Sequence, residues 1–452
     1  MLNKQVSAYP RRYGAFWKVR LPDSGPHDAL HAGSQPQIQC RVLGYFKAHL
    51  EAAGYKPNTI ATHLSVARHL MRYFEGRKVS LEKACAEDIA DFLKTQLKRF
   101  RKRYGHSPKD CSWRNRYLGP IHEFLRIIHP RWPPEAPTAD ADERFRRVVL
   151  DGYGDWLTNR YGLSKGTLAK NGRIALKFSL WWTGRTKRRS FHHLCISDID
   201  HYLSERLPGL RRATRYGECQ GLRSFTRYLY AAHLNSKDLS PHIAGPVLYK
   251  CEEIPRAFAE AEIRAVLEAA RLDRTAKGLR DYAILLMLAT YGLRAGEVAG
   301  LQLDDIEWRT DRLRVRQSKT GREYFLPLVP SVGEALLNYL KHGRPKTGIR
   351  HVFLRIRAPL VPFSSVAPID AIIEARLKQA RVEVRGRRGA HAFRFARATN
   401  LLRAGLPLKS IGDLLGHRSP SSTQVYLKLG TDDLRSISLQ VPGKGPDATL
   451  AR

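Results

Sequence analysis

Two stretches in the N-terminal half of this 452-residue chain share one pattern of residues. In each, a helix that begins near a threonine is followed by a basic loop and a second helix that opens on Asp-Ile. Thr59 and Thr167 are 108 residues apart, and Asp88 and Asp198 are 110 apart, so the register holds to within a short insertion. This repeat predicts two similar helical units, residues 37–132 and 141–246. Chance similarity between two amphipathic segments is the alternative.

The chain length also predicts more than one domain, because a single core stops growing well below 452 residues. The proline-rich run at residues 130–137 (PRWPPEAP) predicts a stiff linker between the two units, and residues 245–255 form a second connector. We therefore expect an N-terminal segment (1–36), the two helical units, a C-terminal domain (255–435) and a tail (436–452).

The charge balance points to a polyanionic partner. The chain has 78 Lys and Arg against 42 Asp and Glu, a formal net charge of +36 and a pI near 10.3. Such a surplus on a chain with 43% hydrophobic residues favours a folded protein that binds nucleic acid. A ribosomal protein or a basic membrane-surface protein shows the same balance.

The basic residues are concentrated in the connecting segments of both helical units. Residues 94–116 contain nine Lys and Arg against one Asp, with Phe100, Tyr104 and Trp113 among them. Because aromatics are interleaved with these charges, we favour contact with DNA phosphates over a merely solvated surface. The candidate DNA-binding residues are Lys98, Arg99, Arg101, Lys102, Arg103, Lys187, Arg188, Arg189, Arg211 and Arg212.

The cysteines and apolar runs predict a soluble, cytoplasmic protein without a metal site. The six cysteines are scattered, and none lies at metal-ligand spacing. The N-terminus lacks the apolar core of a signal peptide, and the longest apolar run, residues 282–293, is too short to span a bilayer.

The C-terminal domain has a mixed pattern. Helical periodicity over residues 259–272 and 276–291 ends at Gly292, a predicted left-handed cap. Three short strand-like runs follow, at 306–308, 313–316 and 324–328, with turns at Asp311 and residues 319–321. The chain is therefore predicted to be mainly α, with helical N-terminal units and an α+β C-terminal domain that contains a small antiparallel sheet.

Several polar residues in this domain occur in an ordered set. Arg294 follows the Tyr-Gly-Leu sequence at 291–293, and Glu297 comes three residues later. A His-x-x-Arg pair opens a later helical run, and a Leu-Gly-His corner closes the next. The full set is Arg294, Lys319, His391, Arg394, His417 and Tyr426.

This set resembles the active-site pattern of the tyrosine recombinases, the phage-integrase family. The resemblance covers residues 259–435 in detail, and the helical units are similar more loosely to the family's core-binding domains. It implies a mobile-element recombinase that cleaves and rejoins double-stranded DNA through a 3′-phosphotyrosyl intermediate, in a tetrameric synapse and without a metal or nucleotide cofactor. Phe395 and Arg397 depart from the family pattern, which usually has a histidine and a small or polar residue there.

The chemistry of these residue types is consistent with that reaction. Arg294 and Arg394 are expected to clamp the charge on the phosphate, because guanidinium groups are planar and permanently charged. Tyr426 is the expected nucleophile, and His391 assists its proton transfer. Lys319 is the candidate general acid, and its assignment is the weakest because Arg316 and Arg322 lie nearby. His417 would hydrogen-bond the phosphate, and Glu297 would support the site.

Three other functions compete with this interpretation. A DNA-binding regulator would explain the two short helices at residues 409–427 but leaves Arg294, Lys319 and His391 without a role. A metal-dependent nuclease needs clustered carboxylates, and the adjacent pairs 304–305 and 432–433 lack partners at suitable spacing. An accessory recombinase that acts only with a related partner from the same element remains open.

Overall fold

A computed structural model describes residues 35–108, 110, 112–129, 132, 140–248, 258–317, 321–383 and 388–416. The chain divides into two compact units, residues 1–135 together with 254–452, and residues 136–253. In the described part of the chain, none of the helices combines the length and apolarity needed to cross a membrane.

In the N-terminal part of the first unit, the described residues from 35 onward form four α-helices. They are α1 (Gln35–Ala52), α2 (Pro57–Gly76), α3 (Ala86–Tyr104) and α4 (Ser112–Ile128). Pro57 starts α2, and Gly105 ends α3 in the left-handed conformation. Large aromatic side chains fill the core between the helices: Phe46, Phe74, Phe92 and Phe124.

In the second unit, residues 140–248 form four further α-helices in the same order. They are α5 (Ala141–Tyr161), α6 (Lys165–Thr186), α7 (Ile196–Arg206) and α8 (Arg212–Ala231). The side chains of Asp140 and Ser164 cap α5 and α6 by accepting backbone N–H groups of the first turn. The core is again aromatic, with Tyr153, Phe178, Trp182, Phe191 and Phe225 buried.

The two sets of helices correspond residue by residue at their buried positions. Val66, Ala67, Leu70 and Phe74 on α2 are buried, and so are the residues 108 positions later on α6, which are Ile174, Ala175, Phe178 and Trp182. The third helices begin alike, because the carboxylates of Asp88 and Asp198 accept the backbone N–H of Cys85 and Cys195 at 2.9 and 3.1 Å. This agreement favours an internal repeat over chance similarity.

The C-terminal part of the first unit combines helices with a small sheet. The helices are α9 (Glu260–Arg271), α10 (Ala276–Tyr291), α11 (Ala295–Gly300), α12 (Pro330–Asn338), α13 (Ala367–Gln379), α14 (Ala390–Arg403) and α15 (Leu408–Leu414). Strands β1 (Ile306–Glu307), β2 (Arg312–Arg316) and β3 (Glu323–Pro327) form an antiparallel sheet in the order β1-β2-β3. In its register Leu313 pairs with Leu326 and Val315 with Tyr324. The predicted fold class is confirmed.

Helix α10 is the centre of this C-terminal part. Its buried residues include Ile284, Leu285 and Leu288, and it contacts α9, α12 and α14. The helix ends because Gly292 adopts a φ of +65°, a conformation that costs little without a Cβ atom. The chain then turns directly into α11, so residues 292–294 are placed by the end of a fully packed helix.

The first four helices also contact the C-terminal part within the same compact unit. The backbone N–H of Leu360 donates to the carbonyl of Ala53 at 3.1 Å. The Leu360 side chain occupies the space beside Gly54, where an added Cβ atom would lie 2.3 Å from Leu360 Cδ1. Gly54 has a φ of +78°, so both the backbone conformation and the contact require glycine.

Candidate active site

Arg294 lies at the junction between α10 and α11. Its backbone N–H donates to Glu297 Oε2 at 2.8 Å, and its Nη1 donates to Oε1 of the same carboxylate at 2.6 Å. The Glu297 side chain is fully buried, whereas that of Arg294 is 33% exposed. One carboxylate therefore fixes both the backbone and the guanidinium of Arg294, and part of that guanidinium remains accessible.

Arg394 is buried and joins distant segments of the chain. Its residue exposure is 3%. Nη1 donates to the carbonyl of Gly292 at 2.9 Å, and Nη2 donates to the carbonyl of Leu415 at 2.7 Å. Gly292 precedes Arg294 by two residues, and Leu415 precedes His417 by two residues. Arg394 thus links its own helix, α14, to the segments that lead into two other predicted site residues.

Lys319, His417 and Tyr426 lie outside the described residues, but the residues that flank two of them are in direct contact. Gln317 Nε2, on the hairpin of Lys319, donates to the carbonyl of Gly416 at 2.6 Å. Gly416 directly precedes His417. The backbone N–H of Gly321 donates to the carbonyl of Gln317 at 2.8 Å and closes the hairpin. The residues that precede Lys319 and His417 in the sequence, Gln317 and Gly416, are therefore joined by a hydrogen bond.

His391 occupies an exposed position in the first turn of α14, one turn before the buried Arg394. The start of this helix is held by Asp370, whose Oδ1 accepts the backbone N–H of Ala390 at 3.1 Å. Residues i and i+3 share a helix face, so the two side chains project from the same side of α14 at different depths.

Tyr324 is a residue at this site that the sequence pattern did not indicate. It lies on β3, and its ring is in contact with Gly416, where an added Cβ atom would lie 3.0 Å from Tyr324 Cε1. Among the described residues its buried hydroxyl has no hydrogen-bond partner. Burial raises the pKa of Tyr324 and the nearby Glu297 raises it further, while Arg394 and Arg294 act in the opposite direction. Because side chains alternate along a strand, the sequence predicts that Tyr324 and Leu326 lie on the same face of β3. The residue pattern does not predict that Glu297, Arg294 and Arg394 lie near Tyr324.

Comparisons with known proteins identify relatives of this chain. The phage integrase family model matches residues 256–432. A putative integrase/recombinase of Sinorhizobium fredii, y4gC, is 52% identical over 190 residues, which are 42% of this chain and 97% of that protein. Another from the same organism, y4rF, is 30% identical over 322 residues, which are 70% of this chain and 74% of that protein.

This chain belongs to the phage integrase family of tyrosine recombinases. The tyrosine recombinase XerC of Pelotomaculum thermopropionicum is 33% identical over 261 residues, covering 54% of this chain and 82% of that protein. The crystal structure of the XerH site-specific recombinase bound to difH substrate superposes with a TM-score of 0.50 at 16% identity. It covers 67% of this chain and 99% of that one, and shows a shared fold. The predicted family is confirmed.

Phe395 and Arg397, the two residues that depart from the recombinase pattern, both lie near the segments that Arg394 joins. Phe395 packs against a small cluster of Ala398, Leu401, Ile411 and Leu415, between α14 and α15. Arg397 lies beside Gly292, where an added Cβ atom would be 3.4 Å from Arg397 Cβ. Burial lowers the pKa of Arg397. Both residues therefore shape the packing around the segments that Arg394 joins.

The ten candidate DNA-binding residues of this recombinase all occupy exposed positions. Five of them lie in the last turns of α3. The aromatic rings among them are in contact, since the ring centroid of Phe100 lies 4.6 Å from that of Tyr104 and 6.0 Å from that of Trp113. The aromatics therefore pack together at the base of the basic segment. Arg189 is paired with Asp142 at 2.6 Å.

The acidic pair at 304–305 is engaged with arginines. Asp305 is buried and pairs with Arg314 at 3.0 Å and Arg316 at 2.7 Å, while Asp304 pairs with Arg350. Within the described ranges, no group of three or more His, Cys, Asp or Glu residues is arranged to hold a metal ion. Residues 432 and 433 lie outside those ranges.

Replacing Arg394 with Met should lower the free energy of unfolding by about 2 to 5 kcal/mol, because two buried carbonyls lose their donor. Urea denaturation measures this change. Arg264→Met is the control, since that side chain is 78% exposed and pairs with the exposed Glu260, and it should change stability by less than about 1 kcal/mol. Equal unfolding midpoints for the two variants would contradict the role assigned to the Arg394 bonds.

Proposed function

We propose that this recombinase cleaves and rejoins double-stranded DNA at specific sites, with Tyr426 as the nucleophile. The observation that supports this most is the pair of bonds from Arg394 to the carbonyls of Gly292 and Leu415. These bonds bring the segment of Arg294 and the segment that leads to His417 to one guanidinium. Family membership supplies the second support, because the matched region includes Tyr426.

In the proposed reaction, the Tyr426 oxygen attacks a backbone phosphate while His391 accepts the phenol proton. A 3′-phosphotyrosyl bond forms, and the bond from phosphorus to the 5′ oxygen breaks. Lys319 donates a proton to that oxygen, which leaves as a 5′ hydroxyl. A 5′ hydroxyl of the partner duplex then attacks the phosphotyrosyl bond and releases Tyr426. Bond energy is conserved in the intermediate, so this cycle consumes no nucleotide.

Arg294 and Arg394 would have unequal tasks in this reaction. Arg294 is partly exposed and held by Glu297, so it is suited to contact the non-bridging phosphate oxygens, where negative charge grows. Arg394 is buried and bonded to the main chain. Its charge would act on the phosphate at short range in a site of low dielectric, and His417 would donate a further hydrogen bond.

The partners follow from the reaction. Two duplexes exchange strands, so we infer a tetrameric synapse in which the helical units and the catalytic domain contact DNA through the exposed basic segments. The reaction would serve the integration, excision or transposition of a mobile element in the cytoplasm. The alternative is an accessory recombinase, which would carry out the same chemistry only in assemblies that also contain a related recombinase.

Tyr426→Phe should bind DNA but form no covalent adduct, because the attacking oxygen is absent. The assay incubates the full chain with a nicked suicide substrate and detects denaturation-resistant protein–DNA complexes. Tyr282→Phe, a half-buried tyrosine of α10, is the control and should retain adduct formation. If the wild-type chain gives no adduct, alone or with a related recombinase, the proposed activity is wrong.

Gln317→Ala should slow adduct formation by roughly ten- to a hundredfold, because the hairpin of Lys319 loses its link to the Gly416 carbonyl. The free energy of unfolding should fall by only about 1 kcal/mol. Gln220→Ala, an exposed glutamine of the second unit, is the control. An unchanged cleavage rate in Gln317→Ala would show that this hydrogen bond does not position the catalytic hairpin.

Arg101→Gln combined with Arg103→Gln should weaken DNA binding and reduce its salt dependence. The slope of log K against log [salt] is negative, and each lost phosphate contact reduces its magnitude by about 0.9. We therefore expect the magnitude of the slope to decrease by about 2 in the double variant. Fluorescence anisotropy at several salt concentrations measures the slope. The control combines Arg264→Gln and Arg271→Gln, whose charges are paired with Glu260 and Glu268. Identical slopes for the two double variants would count against the basic segment as a DNA contact.

A further inference from the structure

The catalytic part contains a cavity of about 840 Å³ away from the recombinase site. It lies between the start of α10, the segment 355–364 and the start of α13. Its volume is within the range of pockets that bind small organic molecules. Four cationic side chains line it, Lys277, Arg280, Arg355 and Arg357, and no carboxylate is among the described residues that do so.

The positive charge around this cavity exceeds the negative charge. Asp281 is fully buried and is shared by three cations: Arg280 at 2.7 Å, Arg376 at 2.8 Å and Lys277 at 3.9 Å. Asp273 pairs with Arg376 at 2.7 Å. Two carboxylates thus serve three cations. The buried Arg280 and Arg376 are balanced by these carboxylates, so the surplus positive charge is that of Lys277, which is exposed at the cavity rim.

Two more arginines line the cavity. Arg355 has Glu123 of the first helical unit within electrostatic range, which offsets its charge, whereas Arg357 adds to the surplus at the rim. Arg357 is exposed, and no ion pair to it is found in the described part of the chain. The N-terminus of α10, a helix of 16 residues, also faces the cavity at Ala276 and contributes partial positive charge. The cavity is therefore suited to an anionic group.

The remaining walls are apolar. Ile356, Val361, Pro362 and Phe363 line one side, and the guanidinium of Arg280 lies 5.5 Å from the centroid of the Phe363 ring. Inorganic anions are small and make no use of such walls. An anion that is attached to a flat, partly apolar group would contact both parts of the cavity, and a nucleotide has this chemistry.

The cavity and the recombinase site lie at opposite ends of α10. Ala276 begins the helix at the cavity, and Gly292, which accepts a bond from Arg394, ends it. A helix of 16 residues is about 24 Å long, so one phosphate cannot contact both places. We propose that this cavity is a second phosphate site, which binds a nucleotide unit either as a free molecule or as part of a DNA strand.

The test is equilibrium binding to the full chain, with inorganic phosphate, thymidine monophosphate and a five-residue oligothymidylate as probes. The variant combines Lys277→Gln and Arg357→Gln, two exposed cations of the cavity rim. The control combines Lys378→Gln and Arg309→Gln, which remove the same charge from exposed positions outside the cavity. Thermal unfolding checks that both double variants remain folded.

Wild type and control should bind thymidine monophosphate saturably and more tightly than inorganic phosphate, because the nucleoside contacts the apolar walls. The cavity variant should bind it about a hundredfold more weakly, roughly tenfold for each lost cation. If only the oligothymidylate binds and only the cavity variant loses affinity for it, the ligand is a DNA strand. Equal binding of both nucleotide probes by the variant and the control would overturn the proposal, and so would saturable binding of phosphate and thymidine monophosphate to the wild type with the same affinity.

Discussion

The bonds from the Arg394 guanidinium to two backbone carbonyls are the interaction on which the candidate recombinase site depends. A buried guanidinium is stable only when its N–H groups are bonded, so Arg394 cannot stay in place unless the ends of α10 and α15 come to it. The reverse also holds, because these two ends carry left-handed glycines, Gly292 and Gly416, that direct the chain toward the site. Gln317 then joins the hairpin to the same place. The segments of the site are therefore held together by hydrogen bonds from side chains to main-chain carbonyls.

Most secondary structure in the catalytic domain could be predicted, because its boundaries have local causes. The helices predicted at 259–272 and 276–291 are found at Glu260–Arg271 and Ala276–Tyr291, and the strands agree to within about one residue. Gly292 and Asp311 mark these boundaries through their positive φ angles. The bonds of Arg394 and the position of Tyr324 could not be predicted. They depend on which main-chain atoms meet after folding, and a residue pattern contains no information on that.

The internal repeat shows which positions the helical fold constrains. Buried positions of α2 and α6 keep their apolar character, since each must fill the same kind of core. Exposed positions do not: Arg68 and Arg72 on α2 correspond, 108 residues later, to Leu176 and Leu180 on α6, which are 40% and 48% exposed. At these two positions the scaffold therefore presents charged side chains in one copy and apolar side chains in the other. The ten basic residues that the sequence singled out all occupy exposed positions, which the core constrains least, and five of them lie in the last turns of α3.

The choice of carbonyl acceptors by Arg394 also determines how this site tolerates evolutionary change. Every residue has a main-chain carbonyl, so a substitution at position 415 alters the side chain that surrounds the bond and leaves the acceptor itself in place. Position 292 is different, because its conformation and the nearby Leu415 side chain both exclude a Cβ atom. We therefore expect relatives to vary freely at 415 among apolar residues while keeping glycine at 292. Laboratory diversification for new DNA targets can likewise change the side chains around Arg394 without removing its main-chain acceptors.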